Sequence, residues 1–317
     1  MKKIFTLILC ISAGAFVARA QKPEMAKAIV KYKFSHVRDT TAKDNPYTEN
    51  MVLFVGETSS AYKSFDKKMQ DAMMRKQLEQ QMAEQKGNAK MDFKVTSTKA
   101  VTRAEYYQFP AQNKLMRKET LISPYLIEEP IPVINWKISA DTATFGTLHC
   151  QKATGYFKGR DYTAWFCPDI PLHFGPWKLN GLPGLIVEAY DTNKEVEFKF
   201  DGMEQVVATD KPAVVAETAP QLPGGGTIKF STEDSQDPNL IAVPTNAVKT
   251  TEKEFQKLQE AMRKDPQAFI AAMGGGTTMR PVGPPTGGPT RTVLNISSGG
   301  PGTGPVTNNP IELPEKK

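Results

Sequence analysis

The side chains of this sequence that could support redox, metal or acid–base chemistry are concentrated between residues 149 and 191. Cys150 and Cys167 flank a short run that can reverse direction, and His149 adjoins the first of them. His173 follows in a proline-rich stretch, with Asp169 nearby. The sequence has no Gly-x-Ser-x-Gly, His-Glu-x-x-His, phosphate-binding Gly-Lys-Ser/Thr or Cys-x-x-Cys motif. The chemistry that these residues could support is therefore a disulfide or a metal site.

A β-hairpin is predicted around the two cysteines. Residues 148–157 and 162–167 are largely aromatic, β-branched or small, and Lys158, Gly159 and Arg160 favour a tight turn between them. A turn centred between Lys158 and Gly159 would set three pairs of residues opposite each other: Cys150 and Cys167, Lys152 and Trp165, and Gly155 and Tyr162. The last pair would cover the glycine with an aromatic ring. We therefore predict a disulfide between the cysteines; the alternative is two free buried thiols.

His149 and His173 are also candidate metal ligands. The loop that contains His173 could return towards His149, and Asp169 or Asp191 would add a carboxylate. Such a site would make the protein a metal-dependent hydrolase or a metal-binding protein. However, no pair of these residues has a recognised ligand spacing, and His149 should point away from Cys150 on the strand. The competing interpretation is that both histidines are ordinary hydrogen-bonded side chains.

The chain after Cys167 is expected to form an ordered loop and then a strand. Prolines remove backbone donors at four positions, which excludes a regular central strand: Pro168, Pro171, Pro176 and Pro183. Pro183-Gly184 suits the central positions of a type II turn, in which the glycine would have a positive φ. Residues 185–191 are then predicted to form a buried strand.

The hairpin and loop also offer a candidate binding surface of aromatic and basic side chains, a mixture that is enriched at interfaces. Its members are Arg160, Tyr162, Trp165, His173, Phe174, Trp177 and Lys178. A binding role predicts an apolar cavity or an exposed patch beside Trp177. The competing interpretation places the aromatic rings in the core beneath the sheet and leaves Arg160 as part of the turn.

Several separated motifs of this region resemble one known family. Gly181-Leu182-Pro183-Gly184-Leu185-Ile186 is preceded by Gly159-Arg160-x-Tyr162-x-Ala164-Trp165 and by Gly175-Pro176-Trp177-Lys178. In this order and spacing, the motifs resemble the signature of the GLPGLI family of secreted Bacteroidetes proteins, and the resemblance extends from about Ile29 to the C-terminus. The family has no established activity. The resemblance therefore implies a secreted protein but no catalytic residue.

The N-terminus has the pattern of a secretory signal peptide, predicted as residues 1–20. Met1-Lys2-Lys3 is basic, residues 4–17 are apolar, and Ala18-Arg19-Ala20 is a small-x-small cleavage site. No later stretch approaches the roughly 20 apolar residues of a membrane-spanning helix. We expect a periplasmic or outer-membrane-associated protein, in a compartment where disulfides form.

The charge of the chain argues against a nucleic-acid partner. The formal net charge is +6, and three of these charges, on Lys2, Lys3 and Arg19, leave with the signal peptide. The remaining basic residues form no concentrated stripe. We expect no cofactor.

The rest of the sequence predicts a mainly β (α+β) protein. Short strand patterns, including one at residues 133–138, recur over residues 21–250 and favour a curved antiparallel sheet or an open half-barrel, interrupted by a helix at 65–86. A capping box at Thr251 begins a docked helical segment, residues 251–273. Residues 274–317 hold ten glycines and eight prolines and are expected to be mostly disordered, apart from short apolar runs at 292–296 and 311–313.

These patterns favour a secreted cell-envelope protein that serves binding or assembly. Its partner would be an apolar ligand or an envelope protein. The alternative function is the metal-dependent hydrolase that would use His149 and His173.

Overall fold

The structure, a computed structural model, describes residues 23–84, 100–206, 237–273 and 307–315. The predicted signal peptide and residues 274–306 lie outside these ranges. The strands are, in chain order, β1 (Glu24–Met25), β2 (Ala28–His36), β3 (Tyr47–Val55), β4 (Ser60–Ser64), β5 (Glu105–Phe109), β6 (Lys114–Thr120), β7 (Pro124–Glu129), β8 (Lys137–Phe145), β9 (Leu148–Phe157), β10 (Arg160–Cys167), β11 (Leu185–Asp191), β12 (Val196–Gln205), β13 (Leu240–Ile241) and β14 (Val248–Thr250). The α-helices are α1 (Phe65–Glu84), α2 (Glu252–Lys264) and α3 (Pro266–Ala272).

Within the described residues, twelve strands form one open sheet in the order β14-β7-β6-β5-β4-β3-β2-β12-β11-β10-β9-β8. Two meanders build it. Strands β2 to β7 run towards one edge, and strands β8 to β12 run back from the other edge until β12 pairs with β2. Of the strands in the described ranges, only the short edge strand β14 is parallel to its neighbour, β7. The predicted mainly β class, with an open and largely antiparallel sheet, is confirmed.

Both faces of the sheet carry apolar residues. In β2, Val30, Tyr32 and Phe34 are buried and Lys33 is exposed, as the period-two pattern of this strand indicates. These residues belong to the larger core, which includes side chains of β3, β4 and β9 to β12 and is covered by residues 168–184. A second apolar cluster lies on the opposite face of β3 to β7, beneath β13. The sheet is therefore packed on two sides near its centre.

Helix α1 follows β4 directly and begins at Phe65, as predicted. Residues 85 and 86 of the predicted helix lie outside the described ranges. The helix is mostly solvent-facing, since Met73 is 64% exposed and Met69 43% exposed.

Helices α2 and α3 lie at the edge of the sheet formed by β7 and β14. Helix α2 begins with the predicted capping box at Thr251, and its Phe255 is buried against Tyr125 of β7, with ring centroids 5.7 Å apart. Asp265 then caps α3 by accepting a hydrogen bond from the backbone of Ala268. No helix within the described ranges is long and apolar enough to cross a membrane.

The structure corrects one prediction about regular structure. Residues 133–136 do not form the predicted strand, and β8 starts only at Lys137; Trp136 instead turns inward and donates from Nε1 to the carbonyl of Asn180 at 2.8 Å. The tail was predicted to be mostly disordered apart from short runs that include 311–313. Of this tail the structure describes residues 307–315, in which Asn309 is buried in a hydrogen-bonded cluster. We call residues 307–315 the strap.

Candidate functional site

The β9–β10 hairpin has the predicted register. Lys158 and Gly159 have positive φ angles of 50° and 75°, as a type I′ turn requires. Gly155 faces Tyr162 as predicted. However, the ring that covers this glycine is that of Trp136, which a Cβ on Gly155 would meet at 2.8 Å. The hairpin thus serves as the fixed support of the site.

The register places Cys150 opposite Cys167, one position beyond the last pair of the ladder. Both are buried free thiols, 2% and 0% exposed. Burial, reinforced by the neighbouring Cys167, raises the pKa of the Cys150 thiol to about 12. A thiol with so high a pKa is a poor nucleophile at neutral pH. This pair is positioned for structure rather than for thiolate chemistry, and the disulfide remains a prediction.

Residues 168–184, the signature loop, close the larger core. Trp177 is 2% exposed; its ring stacks on Phe198 at 6.3 Å and packs against Phe157 at 5.5 Å. Its φ of 56° is left-handed, which costs a non-glycine residue roughly 1–2 kcal/mol, and Gln108 fixes it by donating to the Trp177 carbonyl at 3.1 Å. Trp177 therefore belongs to a filled core, which was the competing interpretation of this residue.

The glycines of the signature loop are explained by close packing and by one left-handed position. A Cβ on Gly184 would lie 2.2 Å from the carbonyl oxygen of Cys167, and a Cβ on Gly175 would lie 2.8 Å from that of Leu179. The positive φ occurs at Gly181, at 87°, and not at Gly184. The predicted type II turn with a positive φ at Gly184 is therefore wrong, because this glycine is required where β11 begins against the end of β10.

Arg160 is the centre of a buried polar cluster. Its side chain is 2% exposed and donates to Asp191 at 2.5 Å and to Glu195 at 3.4 Å. Its other donors reach three oxygens of the strap: Asn309 Oδ1 at 2.6 Å, the Pro310 carbonyl at 2.8 Å and the Ile311 carbonyl at 3.0 Å. The guanidinium thus links the hairpin turn, the end of β11 and the strap.

His36, at the end of β2, forms another wall of this cluster. It is 5% exposed, and its Nε2 lies 2.8 Å from the Asn309 carbonyl. A carbonyl can only accept a hydrogen bond, so Nε2 carries the proton. Burial lowers the pKa of His36 to about 4, although the bond to Asn309 opposes the shift, and the charges of Arg38 and Arg160 add to it. The imidazole is therefore neutral at pH 7.

Lys178 of the signature loop holds the strap from the other side. Its side chain is 4% exposed, and its Nζ lies 2.8 Å from Glu129 and 2.9 Å from Glu312 of the strap. Burial favours the neutral form of Glu129, but the bonds from Lys178 and Arg117 outweigh it and hold the pKa of Glu129 below its usual range. Lys178 is thus an internal ion-pair partner.

The other predicted binding residues do not form one surface. Tyr162 and Phe174 are 1% and 3% exposed, within the same core as Trp177. Trp165 is half-buried and packs on Phe145 at 6.0 Å, whereas His173 is exposed. Of the seven predicted residues, the structure brings Arg160 and Lys178 together on the strap and places three aromatic rings in the core.

The metal hypothesis has no ligand set in the described part of the chain. His149 is exposed, as is His173, and Asp191 is engaged by Arg160. No three His, Cys, Asp or Glu side chains among the described residues are placed to hold a metal ion. An open pocket of about 490 Å³ lies at the β8–β9 edge; its lining includes His149, Cys150 and Asp169.

Sequence reasoning missed three members of the buried cluster: His36, Glu195 and Asn309. The signal that could have found the strap is the short run Asn309-Pro310-Ile311, which differs in composition from the Gly/Pro-rich sequence before it.

These features define a mainly β protein with an open sheet. The signature loop covers its larger core, and the strap packs against the hairpin turn through Arg160. Residues 156–188, which span the hairpin turn, the signature loop and the start of β11, match the model of a family described as "Protein of unknown function (Porph_ging)". No curated protein matches the chain.

Two solved structures of PNGF-II, in the P21 and C2 space groups, are similar to the chain at 9% sequence identity, with TM-scores of 0.44 and 0.43. The match covers 73% of this chain and 32% of the PNGF-II chain. This protein thus spans about a third of the length of PNGF-II. A likeness at this level supports no conclusion about activity.

Proposed function

We propose that this protein is a non-enzymatic binding or assembly module of the bacterial cell envelope and a member of the GLPGLI family. The match of residues 156–188 to a family model and the ordered signature motifs support the family. The signal-peptide pattern at residues 1–20 supports export to the periplasm or outer membrane. The facing cysteines Cys150 and Cys167 support a disulfide formed after export.

The observation that carries the choice of partner is the burial of Trp177. An apolar-ligand carrier needs a cavity or an exposed apolar patch at this residue. Trp177 is 2% exposed and lies between the rings of Phe157 and Phe198. This favours a protein partner over an apolar ligand.

The edge strand β8 is the feature that suits a protein partner. Among the described residues it pairs with β9 alone, and its ladder is interrupted between Ile138 and Thr142. An unpaired strand edge is a common site for adding a strand of another protein. Ile138, 48% exposed at the start of this strand, would pack against such a partner.

The experiment is native mass spectrometry of the protein purified from its own cell envelope, followed by denaturing analysis. We expect a cleaved chain, two hydrogens lighter for one disulfide, in a complex with another protein. Ile138→Lys should abolish the complex because it puts a charge on the edge strand. Val133→Lys is the matched control, since Val133 is 87% exposed and lies outside β8.

Two results would overturn the proposal. A stoichiometric lipid that is lost only on denaturation would restore the carrier hypothesis. A complex that Ile138→Lys and Val133→Lys leave equally intact would remove β8 from the partner site.

A further inference from the structure

The strap lies in a groove formed by His36, Arg38, Lys158, Arg160 and Lys178, which we call the Arg160 groove. Residues on both sides of this groove contact the backbone of the strap. Arg160 donates to two strap carbonyls, at 2.8 and 3.0 Å, and His36 donates to a third at 2.8 Å. From the strap, the backbone N–H groups of Asn308 and Asn309 donate to the Arg38 carbonyl at 3.0 and 3.1 Å. This pattern of main-chain contacts is how proteins bind an extended peptide.

The groove also distinguishes the side chain of Asn309. Asn309 accepts from Arg160 at 2.6 Å through Oδ1, and its Nδ2 donates to the Val37 carbonyl at 2.8 Å and to Glu195 at 3.0 Å. The side chain is buried. An aspartate there would bring a second carboxylate against Glu195 and leave the Val37 carbonyl without the donor that Asn309 supplies, so the position selects the amide.

Charges specify the other end of the strap. Glu312 pairs with Lys178 at 2.9 Å and with Lys158 at 3.3 Å. The Leu313 backbone N–H donates to the Lys158 carbonyl at 3.0 Å. The groove thus recognises two groups of the strap, the Asn309 amide and the Glu312 carboxylate, which are three residues apart.

The buried positive charges of the groove are neutralised by carboxylates of the groove itself and not by the strap. Asp191 and Glu195 balance Arg160, and Glu129 pairs with Lys178. Asp191 is itself fixed, because it accepts from the backbone N–H groups of Glu195 at 2.7 Å and Val196 at 3.1 Å. Arg160 and Lys178 therefore each keep a carboxylate partner when the strap leaves, so the charged part of the site is preformed.

The connection between α3 and the strap does not oblige the strap to bind its own molecule. Residues 274–306 join the two, and a fully extended chain of that length reaches at most about 110 Å, at roughly 3.4 Å per residue. That reach exceeds the size of a domain of this length. A strap can therefore enter the groove of a neighbouring chain as well as its own.

We propose that the Arg160 groove is a peptide-recognition site for the Asn309–Glu312 segment, and that its partner in trans is the strap of a second copy of this chain. This names a partner for the assembly role proposed above and rests on that role only for its biological setting. Exchange of the strap between copies is a local event that leaves the sheet intact, as in domain swapping.

The test of recognition uses the full chain with a protease site inserted between Gly299 and Gly300. After cleavage, we expect the strap to stay bound and to exchange with a fluorescent peptide of residues 307–317. The same peptide with Asn309→Asp should bind at least tenfold more weakly. Equal binding of the two peptides, or none of either, overturns the recognition site. If the cut chain unfolds, an uncut chain with Asn309→Ala in its own strap receives the same two peptides.

The test of the partner mixes two full-length variants. One carries Asn309→Ala and has an intact groove, and the other carries Arg160→Lys and has an intact strap. We expect a one-to-one heterodimer in native mass spectra, and no dimer of either variant alone. Mixed chains that remain monomeric while the peptide binds would overturn the second copy as partner. Neither result depends on the β8 edge, so the outcome is separate from that of the envelope complex.

Discussion

Gly184 lies directly against the carbonyl of Cys167, where any Cβ would sit 2.2 Å from the oxygen. We expect Gly184→Ala to lower the free energy of unfolding by about 3 kcal/mol, because backbone has to move to relieve the overlap. Gly181→Ala is the matched control: within the described ranges no atom beyond its chain neighbours lies within 4 Å of a Cβ there, and only the positive φ is penalised, by about 1 kcal/mol. Urea unfolding measures both, and equal losses would contradict the packing explanation.

The pair of Cys150 and Cys167 provides a second prediction. In protein exported through an oxidising compartment, alkylation under denaturing conditions should find no free thiol on either residue. Reduction should lower the free energy of unfolding by about 3 kcal/mol, the value expected for a closed loop of this length. Cys150→Ser should reproduce that loss and make the protein insensitive to reductant. Two alkylated cysteines in the exported protein would show that the thiols stay free.

Arg160→Met should be among the more destabilising single changes. It leaves the buried Asp191 carboxylate with two backbone donors but no cation, which costs about 3–5 kcal/mol. Adding Asp191→Asn should recover part of that loss, since it removes the unpaired charge. Arg103→Met is the control because Arg103 is exposed. The measurement is denaturant unfolding of wild type, Arg160→Met, the double variant and Arg103→Met. A double variant no more stable than Arg160→Met would contradict the explanation by the charge on Asp191.

Stability should depend on His36 between pH 6.5 and 4. The pKa of His36 is about 4 in the folded protein, against an ordinary value of 6.5, chiefly because of burial. The unfolded chain therefore binds a proton that the folded protein does not, so the free energy of unfolding falls as the pH drops through this window and levels off below it. Arg38, Arg160 and Asp191 also act on His36.

His36→Gln keeps a donor near Asn309 but does not titrate. The difference between wild type and this variant isolates the histidine from the carboxylates, which titrate in both proteins. The free energy of unfolding of wild type minus that of the variant should fall from pH 6.5 to pH 4, as measured by thermal or urea unfolding. A difference that does not change with pH would mean that His36 does not couple to folding.

Local sequence was enough to predict the hairpin, because the tight turn at Lys158 and Gly159 determines each cross-strand pair. The capping box at Thr251 could also be predicted from local sequence, because its two partners, Thr251 and Glu254, are three residues apart. The start of β8 was missed because this strand is exposed along most of its length, so its sequence lacks the apolar alternation by which strands are found. Proline content correctly predicted an ordered loop but not its burial.

The candidate site could be predicted only in part. Arg160 and Lys178 were selected as charged members of a motif, but their role depends on Asn309 and Glu312, which are more than a hundred residues away in sequence. A pattern of local composition carries no information about such a contact. The requirement for Gly184 is also tertiary, since the oxygen that excludes a side chain belongs to Cys167.

The pairing of β12 with β2 has a consequence for the order in which the protein can fold. Strands β2 to β7 can pair with sequence neighbours as soon as they are synthesised, but one edge of β2 stays open until residues 196–205 arrive. Such long-range pairing is slow, and an open edge can pair with the wrong chain in the meantime. We therefore expect a rate-limiting late step in refolding that joins the two meanders, with aggregation competing most strongly before it.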